Sequence, residues 1–184
     1  MPRTAETQLE PILGLLRIFL PVAFAAMLGL GLVRITIEHS LGGYSIGLGW
    51  LLAAVLATVY FAGTFLEHRK AKGELKNTYR FLTQGNVYLW LFVVVTLWAL
   101  LVILHPDFSW IAFPLFFLEL HVMRRHPWAA YSFVALTGAA VVCAPLLHGE
   151  ELTSSQFVGP LIGAVAAVIL WHIYQALFRQ TQAQ

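Results

Sequence analysis

The sequence predicts an all-α membrane protein, a polytopic bundle of six transmembrane helices with both termini in the cytoplasm. Of its 184 residues, 59% are hydrophobic and 11% are charged, whereas an average soluble domain is about half apolar and about a quarter charged. The apolar residues also fall into six long runs, and a helix needs about 20 such residues to cross a bilayer. This composition excludes a soluble enzyme and a disordered chain.

The six runs define one membrane domain covering residues 1–184. The predicted spans are residues 12–37, 46–66, 86–104, 108–123, 128–147 and 157–178.

Each span is bounded by polar residues or turn residues. The first follows a polar stretch of ten residues and lacks the cleavage site of a signal peptide, so we interpret it as a retained span. A Gly-Gly turn precedes the second, and the longest connection, residues 67–85, precedes the third. The fourth is the shortest and has a tight hairpin on either side. The sixth runs into the C-terminal tail without a glycine or proline that would end its helix.

Lysine and arginine residues predict the orientation of the bundle. With the N-terminus inside, ten of the eleven fall on the cytoplasmic side and only Arg34 falls outside. Cytoplasmic segments of membrane proteins carry this excess, and Trp residues gather at both interfaces. Trp50 and Trp110 fall at the predicted outer boundary, and Trp90 and Trp128 fall at the inner one.

Several function classes lack their sequence signals. The chain has no P-loop, no zinc-protease motif and no nucleophile elbow. The basic connection at residues 67–80 is typical of a cytoplasmic loop beside anionic lipid, and nothing in it indicates nucleic-acid binding. The single cysteine, Cys143, excludes an intrachain disulfide, and its apolar surroundings in the sequence predict a packed core thiol. The bilayer is therefore the one partner that composition predicts.

Glu119 is the most informative residue inside a predicted span. A carboxylate at that depth costs roughly 2.5–3.5 kcal/mol on insertion scales, so it must be paired, protonated or hydrated. His172 of the sixth span lies at a similar predicted depth and is a candidate partner, and His121 follows two residues after Glu119. A structural hydrogen bond and a ligand-binding polar pair both remain open.

A second group of polar residues falls at the predicted outer rim. It contains Arg34, Glu38, His39, Tyr44, His105 and His148. Arg34 and Glu38 are four residues apart on one helix and are spaced to pair. Imidazole and phenol side chains ligate haem iron, and an arginine binds a carboxylate such as a haem propionate. Membrane-rim anchors are the alternative interpretation of the same residues.

A stripe of small residues runs along the sixth span. Gly159, Gly163 and Ala167 are spaced four apart, which lets two helices approach closely. The stripe is suited to a homodimer seam or to packing inside one bundle.

Several segments together resemble a known family. They are residues 110–121, Arg124-Arg125, residues 128–142, the Gly159-Pro-Leu-Ile-Gly163 segment and residues 174–179. In order and pattern they resemble the N-terminal sensor domain of actinobacterial sensor histidine kinases. The similar group is the MacS-like branch, whose kinase cores pair with NarL-like regulators, and the haem-responsive kinases of corynebacteria are similar too. The similarity is clearest over residues 108–179.

The resemblance implies a bacterial cell-membrane protein with six spans and a homodimeric state. It implies a coiled coil after residue 184 that leads to a kinase core, and through that core to a cytoplasmic response regulator. The 184 residues would then lack kinase activity of their own. In haem-sensing members the ligand would be bound within the membrane domain, because the outer loops are very short. The chain departs from the pattern of this family at Glu119, which leaves the role of that residue open.

The predicted function is therefore signal input for a two-component histidine kinase. Haem is the leading ligand, and lipid or envelope state comes next. The ligand-binding candidates are Arg34, His39, Tyr44, His105, Glu119, His121 and His172. A small transporter or channel is the alternative, followed by a structural subunit of a larger complex and then by a membrane-embedded enzyme.

Overall fold

The computed structural model describes residues 3–37, 43–71, 84–149 and 154–182, and every regular element in these ranges is helical. The elements are α1 (Arg3–Ile37), α2 (Gly43–Ala71), α3 (Gln84–Leu104), a 3₁₀ helix (Pro106–Ile111), α4 (Ala112–Val122), α5 (Pro127–Leu147) and α6 (Ser154–Gln182). The predicted all-α class is confirmed for the described residues.

Four of these helices are long and apolar enough to cross a membrane. Their apolar stretches are Ile18–Ile37, Ser45–Leu66, Asn86–Leu104 and Pro127–Leu147, with mean hydropathy between 1.9 and 2.7. A shorter apolar stretch, Val158–Ile173, lies within α6. The predicted spans lie within these helices, because a membrane helix satisfies its backbone hydrogen bonds within its own segment. The helices are longer than two of the spans: α1 begins at Arg3 and not at residue 12, and α2 ends at Ala71 and not at residue 66. The chain is a multi-pass helical membrane protein by length and composition.

The fourth predicted span, residues 108–123, differs from its prediction as a single helix. The structure divides it into the 3₁₀ helix and α4, which has 11 residues. At 1.5 Å per residue α4 is about 16 Å long, roughly half of the hydrocarbon thickness. Pro106 occupies the first turn of the 3₁₀ helix, where its missing N–H leaves no bond unmade.

The short helix α4 lies at the centre of the bundle. It packs mainly against α5 and α6 and also contacts α1, α3 and the 3₁₀ helix. Its buried residues are Ala112, Pro114, Leu115, Phe116, Leu118, Glu119 and Leu120. The large exposed apolar side chains lie on α1, α2, α3, the 3₁₀ helix, α5 and α6, and α4 has none. These outer helices present their apolar faces to lipid and shield α4 from it.

Glycines allow the closest approaches between helices. A Cβ atom on Gly31 would lie 2.6 Å from Phe108 Cε1, and one on Gly163 would lie 2.6 Å from Phe113 Cδ1. Ala167 is fully buried, whereas a Cβ on Gly159 would meet nothing within 4 Å. The two inner members of the small-residue stripe therefore pack inside the bundle, against α4 in the case of Gly163.

The prediction for Cys143 is wrong, because its side chain is exposed on α5. An apolar run in a membrane helix faces lipid as readily as it faces protein, so hydrophobicity alone does not locate the core.

Candidate functional site

Three contacts between polar side chains of the described residues involve predicted site candidates. The Arg34 cluster consists of Arg34, His105 and Asp107, and joins the end of α1 to the 3₁₀ helix. The Glu119–Thr137 pair joins α4 to α5, and the Tyr131–His172 pair joins α5 to α6.

The Arg34 cluster is built by the start of the 3₁₀ helix. His105 caps that helix, and its Nδ1 accepts a hydrogen bond from the Asp107 N–H at 3.3 Å. The Asp107 carboxylate then accepts from Arg34 Nη1 at 3.0 and 3.1 Å. The Arg34 side chain is 61% exposed and that of Asp107 is 19% exposed. Such an exposed pair contributes about 0–1 kcal/mol, so its main effect is to orient the guanidinium.

A small cleft borders this cluster on the outside of the bundle. It is lined by Met27, Leu30, Gly31, Arg34, Asp107 and Trp110 and has a volume of about 60 Å³. Ligand pockets usually enclose roughly 300–1,000 Å³. The cleft therefore admits one end of a larger molecule and does not enclose the whole.

The Glu119–Thr137 pair lies in the buried interior of the bundle. Glu119 has no exposed surface and Thr137 is 2% exposed. Thr137 Oγ1 donates a hydrogen bond of 2.5 Å to Glu119 Oε1. Glu119 Oε2 is buried and has no hydrogen-bond partner among the described residues. Buried polar atoms are nearly always paired in native structures, so this oxygen requires an explanation.

The Tyr131–His172 pair lies among aromatic rings. The Tyr131 hydroxyl and His172 Nε2 are 2.8 Å apart. Trp128 packs edge-on against Tyr131 with ring centroids 6.3 Å apart, and Trp171 packs against His172 at 5.2 Å. Amphipathic rings of this kind are typical of the level where hydrocarbon meets headgroups.

The structure brings some predicted candidates together and separates others. Arg34 and His105 lie in one cluster, joined through Asp107. Glu119 and His172 hydrogen-bond to different residues of α5 and not to each other. His121 is exposed near the end of α4.

Three residues of the predicted outer rim have no described side chain. His39 and Glu38 lie outside the described residues, so the predicted Arg34–Glu38 pair does too. Tyr44 belongs to the first turn of α2, and its side chain lies outside the described set.

Three of the partner residues were not predicted as site residues from the sequence: Asp107, Thr137 and Tyr131. Thr137 carried a usable signal, since it is a hydroxyl within an apolar run, which in a membrane helix must find an acceptor. Asp107 lies in a hairpin, where acids are common. No group of three or more His, Cys, Asp or Glu side chains in the described ranges is arranged to hold a metal ion.

No protein-family model matches the chain, and no curated protein or solved structure matches it significantly.

Proposed function

We propose that the chain is the signal-input domain of a membrane-bound sensor histidine kinase, with both termini in the cytoplasm. It would cross the membrane six times, and the 3₁₀ helix and α4 together would make the fourth crossing. The observation that supports this most directly is the arrangement of α4 and α6. The buried helix α4 packs on α6, and α6 continues as a helix to Gln182, nine residues beyond the apolar stretch that ends at Ile173. A change in α4 packing is thereby connected to the cytoplasmic tail.

The connection between α4 and α6 is close enough to transmit a shift. Gly163 of α6 admits the ring of Phe113, so that sliding or rotation of α4 moves that ring against α6. A ligand drives such a change only if it binds one packing more tightly than the other. A difference of about 1.4 kcal/mol shifts the balance tenfold, so a few differential contacts suffice.

Haem is the ligand that we propose to test first, because Arg34 and His105 lie in one cluster. The imidazole is a ligand for iron, and the guanidinium is a partner for a propionate. The cleft of about 60 Å³ is too small to enclose a porphyrin. Haem held by Arg34 and His105 would therefore extend beyond the cleft, which Arg34 lines.

Haem binding is measured by titrating the purified protein in nanodiscs and following the Soret band. We expect a saturable shift that the His105→Ala variant weakens or moves. The matched control is His126→Ala, since His126 is not among the predicted ligands and lies at the start of α5, where its ring packs against Tyr88. A titration without a saturable shift would exclude haem as the ligand. The proposed sensor function would then depend on the test of signal transmission.

Signal transmission is tested by fusing residues 1–184 to a cytoplasmic histidine-kinase core and inserting one to seven alanines after residue 178. Rotation or translation of α6 predicts kinase activity that rises and falls with a period near 3.6 residues. The same insertions in the connection at residues 72–83 are the control and should have no periodic effect. Activity that falls steadily with insertion length would contradict transmission through α6.

The proposed orientation is tested by cysteine labelling. In a Cys143→Ser background, Arg124→Cys and His148→Cys place thiols at opposite ends of α5. An impermeant maleimide should label the His148→Cys variant in intact cells and the Arg124→Cys variant only after lysis. The reverse pattern would invert the orientation, and labelling of both from one side would refute the crossing by α5.

A small transporter or channel is the second candidate, and the buried Glu119 is the observation that favours it. Acidic residues inside membrane proteins mark ion and proton pathways as well as sensor sites. Flux of protons or cations into proteoliposomes, abolished by Glu119→Gln, would support transport in place of signalling.

A further inference from the structure

We infer that the Glu119–Thr137 pair is a proton-binding site inside the bundle, and that Glu119 is a neutral carboxylic acid when α4 packs on α5. This site is separate from the Arg34 cluster and does not depend on the proposed kinase function. Its ligand is a single proton, which forms the Oε2–H bond. The proton comes from water that reaches Glu119 when the contact between α4 and α5 opens.

Few groups around Glu119 would stabilise a negative charge. The side chain has no exposed surface, and its one hydrogen bond comes from Thr137 Oγ1 to Oε1. An ionised carboxylate accepts about four hydrogen bonds. Here Oε2 accepts none from the described residues.

The other ionisable groups on the elements around α4 are engaged elsewhere or lie at the surface. Those with described side chains are Arg34 of α1, Tyr88 of α3, Asp107 of the 3₁₀ helix, Tyr131 and Cys143 of α5, and His172 of α6. Arg34 pairs with Asp107, and Tyr131 hydrogen-bonds to His172. The Tyr88 ring packs against His126, and Cys143 is exposed. None of them forms an ion pair or hydrogen bond with Glu119.

A neutral acid fits this environment better than a carboxylate does. Burying an ionised carboxylate without a counter-ion is among the most costly events in protein folding. In the neutral form Oε1 still accepts the bond from Thr137, and Oε2 carries the proton. One hydrogen bond is then left unmade, which costs far less than one unpaired charge.

Loss of the proton has a predicted structural consequence. The new charge must attract water or a cation, and either requires α4 to separate from α5. The Glu119–Thr137 pair joins α4 to α5, and α4 also packs on α6. The charge state of Glu119 therefore sets how tightly the central helix is held.

The experiment is infrared spectroscopy of the full chain in nanodiscs, where a protonated carboxyl group gives a C=O stretch that a carboxylate lacks. We expect such a band near neutral pH, lost in Glu119→Gln and unchanged in the matched acid variant Asp107→Asn. Thr137→Val should move the band to higher frequency because the bond to Oε1 is gone, and Thr137→Ser should restore its position.

Several results would overturn the inference. They are the absence of a protonated-carboxyl band, the persistence of that band in Glu119→Gln, and a band that appears only when sodium is withdrawn, which indicates a cation site. If Glu119→Gln does not fold, the Thr137→Val variant decides: a shifted band supports the proton site, and an unshifted band refutes it. Because no kinase enters the measurement, a negative result here leaves the proposed sensor function untouched.

Discussion

Replacing Gly163 by alanine tests the contact between α4 and α6 directly. The added Cβ would lie 2.6 Å from Phe113 Cδ1 and 3.1 Å from Cζ, and closer still to Cε1. The ring has little room to withdraw, because Trp110 stacks on it at 5.9 Å and Phe116 packs edge-on at 6.2 Å. The helices must therefore separate or the ring must leave its position.

The expected cost follows from the size of the overlap. Overpacking of a close-packed interior usually costs about 1–3 kcal/mol. Gly29→Ala is the matched control, a helical glycine of α1 where a Cβ meets nothing within 4 Å. There alanine should be neutral or stabilise the helix by up to about 1 kcal/mol. The two variants should thus differ about fivefold or more in unfolding equilibrium constant.

The assay is equilibrium unfolding in mixed micelles with increasing SDS, followed by circular dichroism. Phe113→Leu removes the ring atoms that the new methyl group overlaps, so it should rescue Gly163→Ala and show no coupling with Gly29→Ala. A double-mutant cycle measures that coupling. Equal effects of the two alanine variants, or a Gly163→Ala cost that Phe113→Leu leaves unchanged, would refute the reasoning.

Three further predictions concern the other contacts. Trp98→Phe removes the buried hydrogen bond from Trp98 Nε1 to Phe108 O, 2.9 Å long, and should lower the free energy of unfolding by at least about 1 kcal/mol in the same assay. A double-mutant cycle on Arg34 and Asp107 should give a coupling below about 1 kcal/mol that salt weakens; a salt-independent coupling would contradict an exposed pair. Trp128 is 82% exposed, so brominated lipids should quench its emission when bromine lies near the headgroups, and quenching strongest at the bilayer centre would contradict an interfacial position.

The sequence determined the local features of this protein. The apolar parts of the long helices could be predicted because a membrane helix forms its hydrogen bonds within one segment, and hydropathy records where the segment enters lipid. Glu119 could be recognised as unusual for the same reason, since an acid among apolar residues is costly wherever the helix lies. Arg34 and His105 were identified as one rim group because both fall at the ends of predicted spans on the same side.

Only the tertiary structure decided which helix is central and which residues meet. In a membrane the lipid is as apolar as the core, so hydrophobicity does not separate a buried face from an exposed one. For that reason the sequence placed Cys143 inside, paired Glu119 with His172, and left open what Gly163 contacts. The packing of α4 among the other helices makes Thr137 the partner of Glu119 and Phe113 the partner of Gly163. Close packing at small residues and a few hydrogen bonds between helices, more than hydrophobicity, determine how these helices assemble.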